Sequence, residues 1–262
     1  MTLENTLWMI VHLLCFSMAL QAVEIFALTR KNTFQKIWSY ENLSTDLKKG
    51  LPLPESLLRL LFSIKSLRFI ALFQILLCLI GPFYPSVLIF LFLALTHLLI
   101  CIRFRGTFNG GSDMMTFVVL TGVLITLSTN DERYQKLGLI YIAIHTLYSY
   151  FKAGLVKVRY NEWRTGHALP AFLERSLFLD MKSVAQWLRL RPRLSQILGL
   201  GLISFELSAL ALPLMPSFGF FYFSLAASFH FLNFLSFGLN RFFWIWLTAW
   251  PAVLFSLRLA GS

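Results

Sequence analysis

The stretch Tyr84-Pro85-Ser86-Val87-Leu88-Ile89-Phe90-Leu91-Phe92-Leu93-Ala94-Leu95-Thr96-His97-Leu98-Leu99-Ile100-Cys101-Ile102 decides the class of this protein. It contains no Asp, Glu, Lys or Arg, and Arg103 and Arg105 follow it directly. A hydrocarbon layer about 30 Å thick takes about 20 apolar residues in helical form. The stretch therefore reads as a membrane span closed by positive charge.

Working outward, seven further apolar runs appear, at residues 7–28, 67–80, 114–127, 137–156, 194–212, 218–239 and 242–257. The runs 67–80 and 114–127 are short, which calls for shielding by neighbours or a locally thinned bilayer. Gly81-Pro82-Phe83-Tyr84-Pro85 makes a sharp turn between the second and third spans, and Pro213 and Pro216 do the same between the sixth and seventh. Composition agrees. Of 262 residues, 57% are apolar and 13% charged, against about 45–50% and about 25% in ordinary soluble domains. The mean hydropathy is +0.70. A soluble fold of this size would lack the charge to cover its surface, whereas a lipid-facing surface needs none. Glu4 and an apolar run reaching Leu28 mark the first segment as a retained span rather than a cleaved signal.

The expected architecture is all-α: one polytopic transmembrane domain over residues 1–262, with seven or eight spans, in the plasma or inner membrane. Two segments stand apart. Residues 30–66 mix Phe34, Ile37, Trp38, Leu57, Leu58, Leu61 and Ile64 with many charges. Residues 168–191 carry Leu173, Leu177, Val184, Trp187 and Leu188 at near-helical spacing, with Glu174, Arg175, Lys182 and Arg189 between them. Both read as amphipathic helices lying in the membrane interface.

The net charge of +11 sits in loops. No basic-aromatic groove pattern appears, so nucleic acid is not an expected partner; anionic membrane lipid is. Arg30, Lys31, Lys36, Lys48, Lys49, Arg103, Arg105, Arg164, Arg189, Arg191, Arg193 and Arg241 fall in loops after odd-numbered spans, and only Arg133 and Lys136 in even ones. The positive-inside rule then puts the odd loops in the cytoplasm and both termini outside.

Ionisable groups at membrane depth are costly and are functional candidates by default. They are His12, Glu24, His97, His145, Lys152, Lys157, Glu206 and His230, with Asn233 and Asn240. Glu24 and Glu206 also suit hydrogen-bonded carboxyls that fix helix packing, and His12 and His97, with no short-range partner evident, suit satisfied core histidines. No metal site is expected. The histidines lie on separate spans without an H-x-x-x-H or H-x-x-E pair, and Cys15, Cys78 and Cys101 form no C-x-x-C pair.

Tyr150-Phe151-Lys152-Ala153-Gly154-Leu155-Val156-Lys157 is more specific. The small pair Ala153-Gly154 lets another helix backbone approach closely. A lysine buried there loses hydration, which favours the neutral amine, a competent general base. The alternative is snorkelling, with the ammonium heads at the interface.

Ala153-Gly154-Leu155-Val156-Lys157, followed by Trp163 and Gly166, resembles the A-G-x-x-K…W…G signature of vitamin K-dependent γ-glutamyl carboxylase and its bacterial relatives, the horizontally transferred transmembrane (HTTM) proteins. Phe229-His230-Phe231-Leu232-Asn233, continuing to Trp250-Pro251, resembles the family's F-H-x-x-N span and the turn after it. Thr107-Phe108-Asn109-Gly110-Gly111-Ser112 sits where the family carries N-N-H-S or N-H-Y, with Gly111 in place of the histidine. The likeness covers roughly residues 1–258.

The resemblance implies a chemistry. In the carboxylase a lysine deprotonates vitamin K hydroquinone, and oxygen converts the quinol to a strongly basic alkoxide. That alkoxide removes the γ-proton of a peptide glutamate, and carbon dioxide adds. By this likeness Lys157 is the catalytic base, while His230, Asn233, Asn109 and Lys152 are candidates for lining the quinol pocket, and the cofactor is a vitamin K-like quinol. The chain ends after its last span, so a separate protein partner is expected to supply peptide-substrate binding. Three functions follow: a quinol-dependent modifying enzyme acting with a partner, a non-catalytic membrane factor for maturation or export of a secreted peptide, and a small transporter. The last has no paired broken helices or inverted repeat behind it.

Overall fold

The structure is a computed structural model that describes residues 1–104, 111–177 and 179–261. Its described residues are helical and contain no strand. The helices are α1 (Leu3–Leu28), α2 (Asn32–Ile37), α3 (Tyr40–Gly50), α4 (Glu55–Phe62), α5 (Ile64–Ile80), α6 (Val87–Arg103), α7 (Ser112–Leu127), α8 (Glu132–Arg159), α9 (Asn161–Arg164), α10 (Ala168–Leu173), α11 (Lys182–Arg189), α12 (Pro192–Leu207), α13 (Gly219–Phe237) and α14 (Asn240–Gly261). Tight 3₁₀ turns over Ser208–Leu214 and Pro216–Phe218 join α12 to α13.

Each of the eight apolar runs coincides with a helix. Five helical stretches are long and apolar enough to cross a membrane: Leu3–Leu28, Glu132–Arg159, Pro192–Leu214, Pro216–Phe237 and Asn240–Gly261. The pair α4 and α5 passes the same test together but bends by 51°. The cause is local: Ser63 leaves the helix and its hydroxyl accepts the Ser66 amide at 3.1 Å, capping α5. Helices α6 and α7 have 17 and 16 residues, about 25 Å each at 1.5 Å per residue. The chain is thus a multi-pass, all-α helix bundle.

Contacts divide it into two units: Leu7–Gly138, and Met1–Thr6 with Leu139–Ser262. In the first, α1 contributes Ile10, Leu14, Met18 and Ala22 to the core, and α5 and α6 contribute Leu67, Ala71, Phe90 and Leu93. Two guanidinium groups organise the ends of its helices. Arg68 donates to the Thr29 carbonyl at 2.7 Å, just past the end of α1. Arg103, almost fully buried, donates to the carbonyls of Phe62 and Trp38, the last residue of α4 and the residue after α2. Helix C-termini carry unpaired carbonyls and partial negative charge, so a cation there satisfies both.

The segment 30–66 forms three short helices: the Ser39 hydroxyl caps α3 after the break from α2, and Pro52 and Pro54 interrupt the chain between α3 and α4. Lys48 and Glu55 bridge that break at 2.8 Å.

In the second unit α12 packs against α9, α10 and α11, and α13 pairs with α14. The segment 168–191 forms two helices, α10 and α11. The Ser176 hydroxyl and the Asp180 carboxylate accept the Met181 and Lys182 amides, each at 3.0 Å, which starts α11 afresh. Between the two helices, the amides of Leu177 and Leu179 donate to Ser236 and Leu235 carbonyls at 3.0 and 3.1 Å. These are carbonyls of the last turn of α13, which a continuous helix over 168–191 would leave without these partners. Gly238, at φ 67°, ends α13 in the left-handed conformation.

Candidate functional site

Tyr150, Gly154 and Lys157 lie on one face of α8, since steps of four and three residues return to the same side of a helix. That face meets α12. A Cβ added to Gly154 would lie 2.9 Å from the Glu206 Cβ and 3.0 Å from the Leu207 amide nitrogen. Only glycine lets the two backbones come this close, and the approach brings Glu206 within reach of the lysine one turn further on.

The Lys157 ammonium nitrogen sits 2.7 Å and 2.8 Å from the two carboxylate oxygens of Glu206. The lysine side chain is 18% exposed and the glutamate 3%. The Trp163 ring lies 5.3 Å from the same ammonium, within cation-π range. Gly166, at φ 84°, turns the chain back so closely against α12 that its carbonyl accepts the Ser195 hydroxyl at 2.5 Å. Gly154, Lys157, Trp163 and Gly166 thus gather around α12 and the ion pair. The Lys157 head is tied to the Glu206 carboxylate, a partner that neither reading of the lysine anticipated. The reading of Glu206 as a hydrogen-bonded carboxyl inside the bundle does describe it.

Two turns back on α8, the Tyr150 hydroxyl and His230 Nε2 share a 2.6 Å hydrogen bond. Both are buried. Trp246 stacks on the His230 ring at 4.9 Å, and Phe242 meets it edge-on at 4.8 Å. His230 Nδ1 is buried and has no hydrogen-bond partner among the described residues. Tyr222 stacks on Phe205 at 4.6 Å and donates to its backbone carbonyl, next to Glu206. Trp250 completes the aromatic wall, 6.1 Å from Tyr150. The unit therefore holds an ion pair and a tyrosine–histidine pair along one helix face, lined by aromatic rings.

The other expected residues separate from this group. Lys152 is exposed, as five residues of helix turn it about 140° from Lys157. Asn233 donates to the Phe229 carbonyl of its own helix at 2.8 Å. Asn109 lies outside the described residues. Glu24 is exposed, and His12 bonds the Trp8 carbonyl at 2.8 Å. Sequence reasoning missed Tyr150 and the pairing of Lys157 with Glu206. The spacing Tyr150, Gly154, Lys157 was the available signal for the first; nothing in the sequence announced the second.

In the first unit, His97, Cys101 and Asp113 stand together, all buried, with their ligand atoms within 4.8 Å of one another. His97 does have a short-range partner: Cys101, one turn on, has its Sγ 3.6 Å from Nε2.

No family model, curated protein or solved structure matches the chain.

Proposed function

We propose that this protein is a membrane-embedded modifying enzyme that draws a proton from a quinol-type lipid and works with a separate protein that presents its peptide substrate. The observation that carries this reading is the Lys157–Glu206 pair, a carboxylate held almost out of water by a lysine at the position the carboxylase-like signature gives to its base. A buried charged pair is costly to assemble compared with apolar side chains of similar volume, which makes it a candidate for chemistry. In this reading the base is the pair: Glu206 accepts the quinol hydroxyl proton, and Lys157 holds the carboxylate in position and carries the compensating charge, which their contact at 2.7 and 2.8 Å supports. His230, with Nδ1 still open among the described residues and a tryptophan against its ring, suits contact with a quinol oxygen and its aromatic ring.

The test begins with the lipid. Mass spectrometry of protein purified in mild detergent is expected to find a co-purifying quinone, depleted in His230→Ala. In proteoliposomes supplied with a reduced naphthoquinol, oxygen uptake is expected from the wild type and not from Glu206→Gln. Absence of both the quinone and the oxygen uptake would refute the reading.

A second reading has its own support. The ion pair is self-satisfied and tightly packed at Gly154, as suits a latch between α8 and α12 in a non-catalytic factor for peptide maturation or export. Replacing both partners by methionine separates the two: a latch tolerates the exchange, whereas a proton-transfer site does not.

A further inference from the structure

We propose that His97, Cys101 and Asp113 form a binding site for a divalent metal ion of the zinc class. Each is buried, at 0%, 5% and 5% exposure. His97 and Cys101 are four residues apart on α6 and so share one face. Asp113 is in the first turn of α7, which packs against α6. The three ligand atoms lie within 4.8 Å of one another. Around a tetrahedral zinc ion with ligand bonds of about 2.0–2.3 Å, ligand atoms stand about 3.3–3.8 Å apart. The Cys101 Sγ to His97 Nε2 distance of 3.6 Å already falls in that range, and from the 4.8 Å bound on the set the remaining distances close by at most about 1 Å to reach it.

The donor set selects the metal class. One thiolate, one imidazole and one carboxylate form a borderline set suited to zinc and its neighbours, and too soft for magnesium or calcium, which take oxygen ligands. Charge is the second argument. A divalent ion bound by a thiolate and a carboxylate is neutral overall, so the filled site avoids the penalty of an isolated charge in an apolar span. Binding releases the Cys101 thiol proton to solvent, and the proton of neutral His97 moves from Nε2, where it faces a carbonyl, to Nδ1, which frees the Nε2 lone pair for the metal. Its Nε2 then exchanges the present contact with the Asp113 backbone carbonyl, at 3.3 Å, for the metal. Three protein ligands leave a fourth position for water or a substrate atom. This site does not depend on the quinol reading, which concerns other residues.

Cobalt(II) is the probe. Titration of tag-free, detergent-solubilised protein is expected to give one bound Co²⁺ per chain, with thiolate-to-cobalt charge-transfer absorption in the near ultraviolet that Zn²⁺ abolishes. Cys101→Ser, nearly isosteric, removes the charge-transfer band. His97→Ala and Asp113→Asn weaken binding at least about tenfold. Cys15→Ser and Cys78→Ser leave the band intact. Because the His97 variant could misfold, a second measurement uses the wild type alone: Zn²⁺ raises its melting temperature, and Cys101→Ser loses that rise. A wild type with no charge-transfer band, a band that survives in Cys101→Ser, or a band lost with Cys15 or Cys78 instead would overturn the proposal.

Discussion

Lys157 on α8 and Glu206 on α12 form an ion pair in which one ammonium meets both carboxylate oxygens, at 2.7 and 2.8 Å, across 49 residues of sequence. The pair exists because Gly154, one turn earlier, has no side chain to hold the helices apart.

Breaking the pair from one side leaves a buried charge uncompensated, which costs about 3–5 kcal/mol in fully buried cases. Lys157→Met and Glu206→Met should each lower thermal stability in detergent. The double replacement should recover most of the loss, because neither charge then remains. A double variant as unstable as the worse single one would mean that the two residues are not coupled.

Gly154 should tolerate no side chain without movement. Gly154→Ala places a methyl group 2.9 Å from the Glu206 Cβ and 3.0 Å from a backbone nitrogen, and overpacking of this kind costs about 1–3 kcal/mol. Gly201 is the control. It is an exposed helix residue with open space where a Cβ would go, so Gly201→Ala should be neutral or stabilising by up to about 1 kcal/mol. Differential scanning fluorimetry of both variants checks this; equal behaviour would contradict the close approach of α8 and α12.

Arg103 joins the ends of α2 and α4 through the Trp38 and Phe62 carbonyls. Arg103→Met leaves two carbonyls short of a partner, at about 1–3 kcal/mol each when buried. The melting temperature should fall by several degrees. Arg103→Lys should recover only part of it, because an ammonium lacks the planar fork that reaches both acceptors. Full recovery by lysine would show that charge alone is needed.

The two ends of α8 should be labelled from opposite sides of the membrane. Tyr134, near its start, and Leu177, in the loop beyond its end, are 60% and 83% exposed. The native cysteines Cys15, Cys78 and Cys101 are all buried, so background labelling should be low. A cysteine introduced at 177 should react with a membrane-impermeant maleimide only from the cytoplasmic side, following the excess of Arg and Lys between 157 and 193. One at 134 should react only from outside. Labelling of both from one side would remove α8 from the set of spans, and a swapped pattern would invert the orientation.

The helices were legible in the sequence because spanning a membrane is a local demand. Enough consecutive apolar residues, bounded by charge or by turns such as 81–85, suffice to locate a span, and each of the eight runs is a helix in the structure. The segment 168–191 was less legible. Its apolar spacing showed amphipathic helix but not where the helix breaks, because the amides of Leu177 and Leu179 are taken by carbonyls of α13, some 60 residues on. Periodicity has no access to that competition.

The site was legible only as a set of residue types. Lys157, Glu206 and His230 stood out because ionisable groups at membrane depth are rare. Which of them meet depended on which helix faces lie together, and spans that are apolar all round carry no stripe to mark an inward face. Tyr150 meets His230 across 80 residues, and His97 meets Asp113 on the next span. Apolar length is written into each segment by itself and determined the helices. The pairings came from close packing at positions such as Gly154, where geometry shared between two segments decides the partner, so only the tertiary structure could assign them.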